Sequence, residues 1–340
     1  MIAHAGKRTL TLENRPYLLS HAAAVGKKEG EGPLGSRFDF VTRNDRMGQK
    51  SWELAESELQ RTAIDLALRK GSLRHCDLDL ILAGDLLNQC IGSFLASMHS
   101  DVPYLGQYGA CSTMAQGLAL GGVLVEAGAA ARLAVSASSH FCSAERQYRF
   151  PLAYGGQRTP TAQWTATAAG AAVLGAEGGS SVRMTHVLFG KMIELGVKDA
   201  NNMGAAMAMA ALDTILQNFR DLGVDETHYD KIITGDLGTV GRRLLLDYLM
   251  KAGYRIESRY MDCGIEMFSP EEQDTHAGGS GCGCSAAVLC GFVLPKIRNG
   301  EWKRVLFLPT GALLSTVSFN EGKSVPGIAH GVVLETPDFL

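Results

Sequence analysis

The run "YGACSTMAQGLALGGVLVEAGAAARLAVSAS", residues 108–138, places Cys111 immediately before a long helical stretch of small residues, with the strand-like "RLAVSAS" behind it. A cysteine in that place can do two kinds of chemistry. Backbone N–H groups at a helix N-terminus favour an anion. The same field stabilises a thiolate, which would be a nucleophile. It would hold a ligand carboxylate equally well. Position alone leaves both readings open, beside the plain one of a small buried thiol at a tight helix start.

Other candidate groups lie elsewhere in the chain. Asp85 and Asp236 end two matching strand-like runs, "DLILAGDL" and "DKIITGDL". Carboxylates there either face a site or cap the turns that follow. His140 follows "RLAVSASS" at a strand end, where α/β proteins place ligand sites; a histidine hydrogen-bonded under a loop explains it as well. His276 stands beside the loop "AGGSGCGCS", in which Gly278, Gly279, Gly281 and Gly283 are expected to supply positive φ and close backbone approach. Cys282 and Cys284 read as small residues packing that crowded turn. Arg158 lies in "YGGQRTPTAQW", within a stretch between residues 142 and 165 expected to be a long loop able to cover a pocket. Arg242 and Arg243 read as solvated helix charges.

These groups belong to a chain of 340 residues that is 46% hydrophobic and 20% charged, enough for one large domain or two fused ones. The formal net charge is -3. No clustered positive charge marks a nucleic-acid footprint. The eight cysteines include no CxxC pair and no zinc-type spacing with histidine, so no resident metal is expected. Their apolar settings fit buried thiols in a reducing compartment. The N-terminal residues lack the apolar core of a signal peptide, and no long uninterrupted apolar run predicts a membrane span.

The elements that must position the candidates occur twice. "DLILAGDL" (79–86) matches "DKIITGDL" (230–237), and "TATAAGAAVLGAE" (165–177) resembles "GIAHGVVLETP" (327–337). "LLSHAAAVG" (18–26) and "MTHVLFGK" (184–191) open the two halves. A helix precedes each Gly-Asp-Leu strand: "SWELAESELQRTAIDLALRK", with Gly71 as its stop, and "GAAMAMAALDTILQNFRDLG". A glycine-rich turn, a helix and a strand follow each. The pattern predicts a duplicated α/β fold with βαβαβαββ halves about a pseudo-twofold axis, residues 1–178 and 179–340, with parallel crossovers.

This plan resembles the thiolase superfamily, which includes the β-ketoacyl synthases. "YGACSTMAQGLALGGVLVEAG" resembles its nucleophile motif, with Cys111 at the nucleophile's place. "AAGAAVLGAE" resembles its "GAGAAVL" strand, and "AGGSGCGCSAAV" its second glycine-rich loop. The resemblance implies two further catalytic groups, His with His or Asn. Where one pattern begins "His-Gln-Ala-Asn", this chain reads "GDLGTVGRR", with Gly235 and Asp236. Near the last loop only His276 is offered.

A more specific resemblance covers the whole chain. "YGACSTMAQGLALGG", "SSHFCSAERQYRFPLAYGGQRTPTAQWTATAAGAAVL" and "HAGGSGCGCSAAV" resemble the stage V sporulation protein AD family. That resemblance implies a thiolase fold used for binding instead of condensation. The implied ligand is dipicolinic acid, pyridine-2,6-dicarboxylate, free or with calcium carried by the ligand, and no cofactor. The implied partners are membrane proteins of the same operon. The implied place is the forespore, peripheral to the spore inner membrane, with movement of the ligand in during sporulation and out at germination. A homodimer is a further expectation, since thiolase folds commonly dimerise. The expected ligand-binding residues are Cys111, His140, His276, Asp236, Asp85, Arg158 and Gly279. Asp85 and Asp236 would also offer oxygens to a ligand-borne calcium. The alternative is a CoA-dependent acyltransferase or β-ketoacyl synthase III-like enzyme with Cys111 as nucleophile; a third reading is a scaffold with a vestigial pocket.

Overall fold

The computed structural model describes residues 2–14, 16–148, 158–177 and 182–337. In the first half, strand β1 (Tyr17–Val25) leads to helix α1 (Trp52–Lys70), β2 (Leu80–Gly84) and the edge strand β3 (Tyr104–Gly106). Helix α2 (Thr113–Glu126), β4 (Arg132–Ser139), helix α3 (Phe141–Tyr148) and β5 (Ala168–Gly175) follow. The second half opens with β6 (Val182–Leu188), α4 (Met203–Leu222), β7 (Lys231–Thr234) and α5 (Gly238–Lys251). It ends with β8 (Tyr260–Asp262), α6 (Cys282–Val288), β9 (Arg304–Leu308) and β10 (Gly331–Glu335).

The two halves have one topology. The strand order is β1-β5-β4-β2-β3 in the first and β6-β10-β9-β7-β8 in the second. In each, the three strands reached through helices run parallel, and the last strand inserts antiparallel between the first and the fourth. The halves meet where β1 and β6 pair antiparallel, Leu18 opposite Val182. Every pair of repeated strings in the sequence falls on equivalent strands. The expected boundary between residues 178 and 179 lies outside the described residues.

Strand alternation sorts the core into layers. On β2, Ile81 packs with Leu59, Ile64 and Leu68 of α1, whereas Leu82 turns to the other face. On β7, Ile232 packs with Met207, Ile215 and Phe219 of α4, whereas Ile233 turns inward. The inward residues Leu82, Val135, Ile233 and Phe307 share one core with Met114 and Leu118 of α2 and Val288 of α6. The two halves of this continuous sheet therefore enclose α2 and α6, and outer helices cover the far faces. The ends of α1 are set locally: the Ser51 hydroxyl accepts from the Leu54 N–H, and Gly71 follows the last turn.

Burying two helices between the halves of the sheet demands small residues where backbones touch. A Cβ on Gly283 would lie 2.0 Å from the Ala168 carbonyl oxygen, and one on Gly170 would lie 2.3 Å from that of Ala286. Glycine at these two places lets α6 lie directly on β5. Gly283→Ala is expected to cost about 3 kcal/mol in urea denaturation, because backbone must move to admit one methyl. A loss below about 0.5 kcal/mol would show that the contact is not tight.

Candidate functional site

Cys111 sits one residue before the N-cap of α2, in a turn with its own constraints. Ala110 has φ 47, a left-handed conformation that costs a non-glycine residue about 1 kcal/mol. The Ser112 and Thr113 N–H groups donate to the carbonyls of Gly109 and Ala110 at 3.0 and 3.2 Å. The Thr113 hydroxyl also donates to the Ala110 carbonyl, at 2.6 Å, and accepts from the Gly109 N–H at 3.1 Å. Two of the amides at this helix start, those of Ser112 and Thr113, are thus taken up by the turn that presents Cys111.

The sulfur instead faces a carboxylate. Asp236, two residues past β7, is fully buried. The Cys111 thiol lies beside its side chain. Thr310 donates to Asp236 Oδ1 at 3.0 Å, and the Gly281 N–H donates to Oδ2 at 3.2 Å. Gly281 has φ +104, which turns its N–H towards both Asp236 and the sulfur. Burial raises the Asp236 carboxyl to about 7, partly offset by these donors. Burial, and then the Asp236 charge, push the Cys111 thiol well above its usual value. The carboxyl is the stronger acid of the two, so the thiol's proton stays on sulfur. An imidazole at the same place would accept that proton and leave an ion pair with a thiolate.

Cys111 forms one wall of a small cavity of about 40 Å³. Leu86, Ala110, Ala144, Ala312 and Leu314 give it apolar walls. Glu145, Thr165 and Ser280 supply polar groups, with the Thr165 hydroxyl donating to Glu145 at 2.7 Å. Tyr108 and Tyr148 also line it, their hydroxyls 3.1 Å apart, and the Tyr148 hydroxyl donates to the Leu86 carbonyl. Among the described lining residues none is Lys, Arg or His.

Several expected site residues lie elsewhere. Asp85 spends its oxygens on the turn after β2: Oδ1 accepts from the Leu87 N–H at 2.8 Å, and Oδ2 from the Ser93 N–H and hydroxyl at 2.7 Å each. It is a turn cap, and it is not available to a ligand-borne calcium. Nor is Asp236, whose oxygens serve Gly281 and Thr310. Among the described residues no three His, Cys, Asp or Glu side chains converge to hold a metal ion.

His140 is held by both ring nitrogens. Nδ1 accepts from the Cys142 N–H at 3.1 Å and Nε2 donates to the Asp45 carbonyl at 2.9 Å, with Trp52 5.4 Å away. Burial lowers its pKa, so it stays a neutral structural ring. His276 and Arg158 meet on the exposed Asp274, at 3.0 and 2.9 Å, and do not reach Cys111. Arg158 also covers the Trp164 ring, at 4.8 Å. Gly279 contributes packing: its carbonyl accepts from Gln163, and a Cβ would strike Phe268 at 2.9 Å. Of the glycines in that loop, Gly278 and Gly281 take positive φ, whereas Gly279 and Gly283 serve close approach. Arg242 and Arg243 are exposed.

The expected loop between 142 and 165 starts as helix α3, and residues 149–157 of it lie outside the described residues. Helix α3 supplies what sequence reasoning missed. Ala144, Glu145 and Tyr148 line the cavity, and Phe141 stacks on Trp164 at 4.0 Å. Their i, i+3, i+4, i+7 spacing in "FCSAERQY" was the available signal.

A thiol held this way should react slowly. With iodoacetamide at about pH 7.5, the exposed Cys76 is expected to be labelled and Cys111 to remain free. Asp236→Asn removes the charge and is expected to speed Cys111 labelling about tenfold or more, read by peptide mass spectrometry. Labelling of Cys111 as fast as Cys76 would contradict this geometry.

Solved structures share the fold. A 3-oxoacyl-[acyl-carrier-protein] synthase III from Aquifex aeolicus is similar with TM-score 0.58 and 13% identity, over 94% of this chain and 99% of that one. A variant of OleA from Xanthomonas campestris gives TM-score 0.61 and 13% identity, over 94% and 98%. At such identities the likeness extends to the thiolase-like fold alone. At the level of sequence, the chain is 43% identical over 330 residues to stage V sporulation protein AD of Bacillus subtilis (strain 168), covering 97% of each. Residues 6–335 match the family model of stage V sporulation protein AD. With residues 6–335 matching that family model and 43% identity along nearly its whole length, the chain belongs to the stage V sporulation protein AD family.

Proposed function

We propose that this sporulation protein is a receptor for dipicolinic acid, free or as its calcium chelate, and that the ligand binds in the cavity beside Cys111 without being transformed. One observation carries the reading: a buried Asp236 carboxyl stands beside the Cys111 thiol where the condensing pattern needs an imidazole. A protonated, uncharged sulfur is a poor nucleophile but an acceptable wall. The alanine and leucine walls suit the faces of a pyridine ring, and Ser280 and Tyr108 bring hydroxyls to its edge. The kept cysteine motif favours the competing reading, a CoA-dependent condensing enzyme acylated at Cys111.

A cavity of about 40 Å³ admits a few waters and is smaller than the ligand. Entry therefore requires the Tyr108–Tyr148 contact to part, with α3 moving as the wall that carries Tyr148. In this reading the chain is the peripheral subunit of a complex at the spore inner membrane, attached through membrane proteins of its operon. It moves the ligand into the forespore and out at germination. Among the described residues no helix is long and apolar enough to cross a membrane. A second copy is a further partner: Leu105 of the edge strand β3 is exposed there, with Phe94 and Met98 beside it.

Isothermal titration tests the binding. Pyridine-2,6-dicarboxylate, with and without calcium, is run against pyridine-2-carboxylate as control. Saturable binding is expected for the diacid, weakened about tenfold or more for the monoacid, which leaves one set of polar groups unpaired. Ala144→Leu fills the cavity and is expected to weaken the diacid by a similar factor while circular dichroism stays unchanged. Absence of heat with the diacid in both conditions would overturn the receptor reading for the isolated subunit.

A further inference from the structure

The cavity beside Cys111 has a larger neighbour. Tyr148 and Leu314 line both, so the two spaces meet at one partition. The outer cavity has a volume of about 300 Å³, against about 40 Å³ for the inner one. It lies between the end of α3, which brings Arg146 and Gln147, and a short helix over Thr316–Asn320. Thr316, Phe319 and Asn320 line it at i, i+3 and i+4, so that helix turns one face to it. The two walls differ in charge. The inner wall has no Lys, Arg or His among its described residues, whereas the outer wall carries Arg146, and no acid lines it among the described residues. Gln147 Oε1 accepts from the Asn88 N–H at 3.0 Å, which leaves the amide NH2 to donate.

Resting on the receptor reading above, we infer that the outer cavity is a second binding site, which captures a planar aromatic carboxylate through Arg146 before the ligand passes the Tyr108–Tyr148 contact. A guanidinium grips a carboxylate with two parallel N–H donors. The Gln147 and Asn320 amides and the Thr316 hydroxyl are placed to take further oxygens. Leu314, Phe319 and the Tyr148 ring give the flat face of the ligand its apolar cover. A volume of about 300 Å³ is that of a small-ligand pocket, and a ring that exceeds the inner cavity fits here with the wall closed.

The two sites then divide the work. One cation pairs one carboxylate, so the outer site holds a monoacid and a diacid about equally. Discrimination between them belongs to the inner cavity, reached once the partition moves. Arg146 is exposed, so its attraction is screened by salt. A positive group at the mouth raises the local concentration of an anion in front of an inner wall that offers it no described cation.

The experiment closes the inner cavity with Ala144→Leu and reads what binding is left, by calorimetry and saturation-transfer NMR of the ligand. The probes are pyridine-2,6-dicarboxylate and pyridine-2-carboxylate. Residual saturable binding of both acids is expected, with affinities within about threefold of each other. Adding Arg146→Gln is expected to weaken it about tenfold, and so is raising NaCl from about 20 to about 500 mM. Arg146→Lys, which keeps the charge without the fork, should retain part of it. Residual binding that ignores Arg146→Gln, or none at all while the unsubstituted chain binds the diacid, overturns the inference and leaves the receptor reading standing. Undiminished diacid binding in Ala144→Leu that Arg146→Gln abolishes upholds the outer site and overturns binding beside Cys111. Failure of the unsubstituted chain to bind either acid overturns both.

Discussion

The placement of the Cys111 thiol beside the buried Asp236 carboxyl is the interaction on which the site depends. A thiol at the head of a buried helix is reactive only if something nearby removes its proton and tolerates the resulting charge. Here the neighbour is itself an acid, which competes for the charge. The Gly281 N–H, aimed by a positive φ, serves that acid as well. The donors that could steady a negative oxygen on a reacting carbonyl are turned to the protein's own carboxylate. The remaining property of the site is shape, with polar groups on one side and apolar walls on the other.

The rest of the fold exists to bring those two residues together from opposite halves. Cys111 comes from the turn before α2 and Asp236 from the turn after β7, and they meet because the two halves of the sheet clamp α2 and α6 between them. The clamp is tight enough that Gly170, Gly283 and Gly311 leave no room for a methyl group; a Cβ on Gly311 would lie 2.3 Å from the Gly109 carbonyl. Burying Asp236 at such a meeting is costly, and the Gly281 and Thr310 donors offset part of that cost. Equivalent positions have diverged under the duplication. Asp85, the counterpart of Asp236, spends its oxygens on the turn after β2.

Much of this was legible in the residues. The Gly-Asp-Leu strings fixed β2 and β7 as counterparts, and the paired strings at 18–26 and 184–191 fixed β1 and β6, because strand alternation leaves a repeated pattern of apolar and small residues. Cys111 and Asp236 stood out for the same reason, as polar residues at the ends of strongly patterned elements. His140, His276 and Arg158 were misplaced because sequence distance says little about direction. His140 turns back to Asp45, and the other two turn out to Asp274. The cavity's third wall was missed for a different reason. Helix α3 is short and polar, and its inward stripe of Ala144, Glu145 and Tyr148 becomes meaningful only once β4 has placed it over Cys111.

The proposed receptor and the competing condensing enzyme share every one of these elements and differ in the state of one sulfur. Intact-mass spectrometry after incubation with short-chain acyl-CoAs at neutral pH reads that state directly. The account predicts an unmodified chain. A stoichiometric acyl adduct that peptide mapping places on Cys111 would contradict it, because it would show that Asp236 does not keep the thiol from acting as a nucleophile.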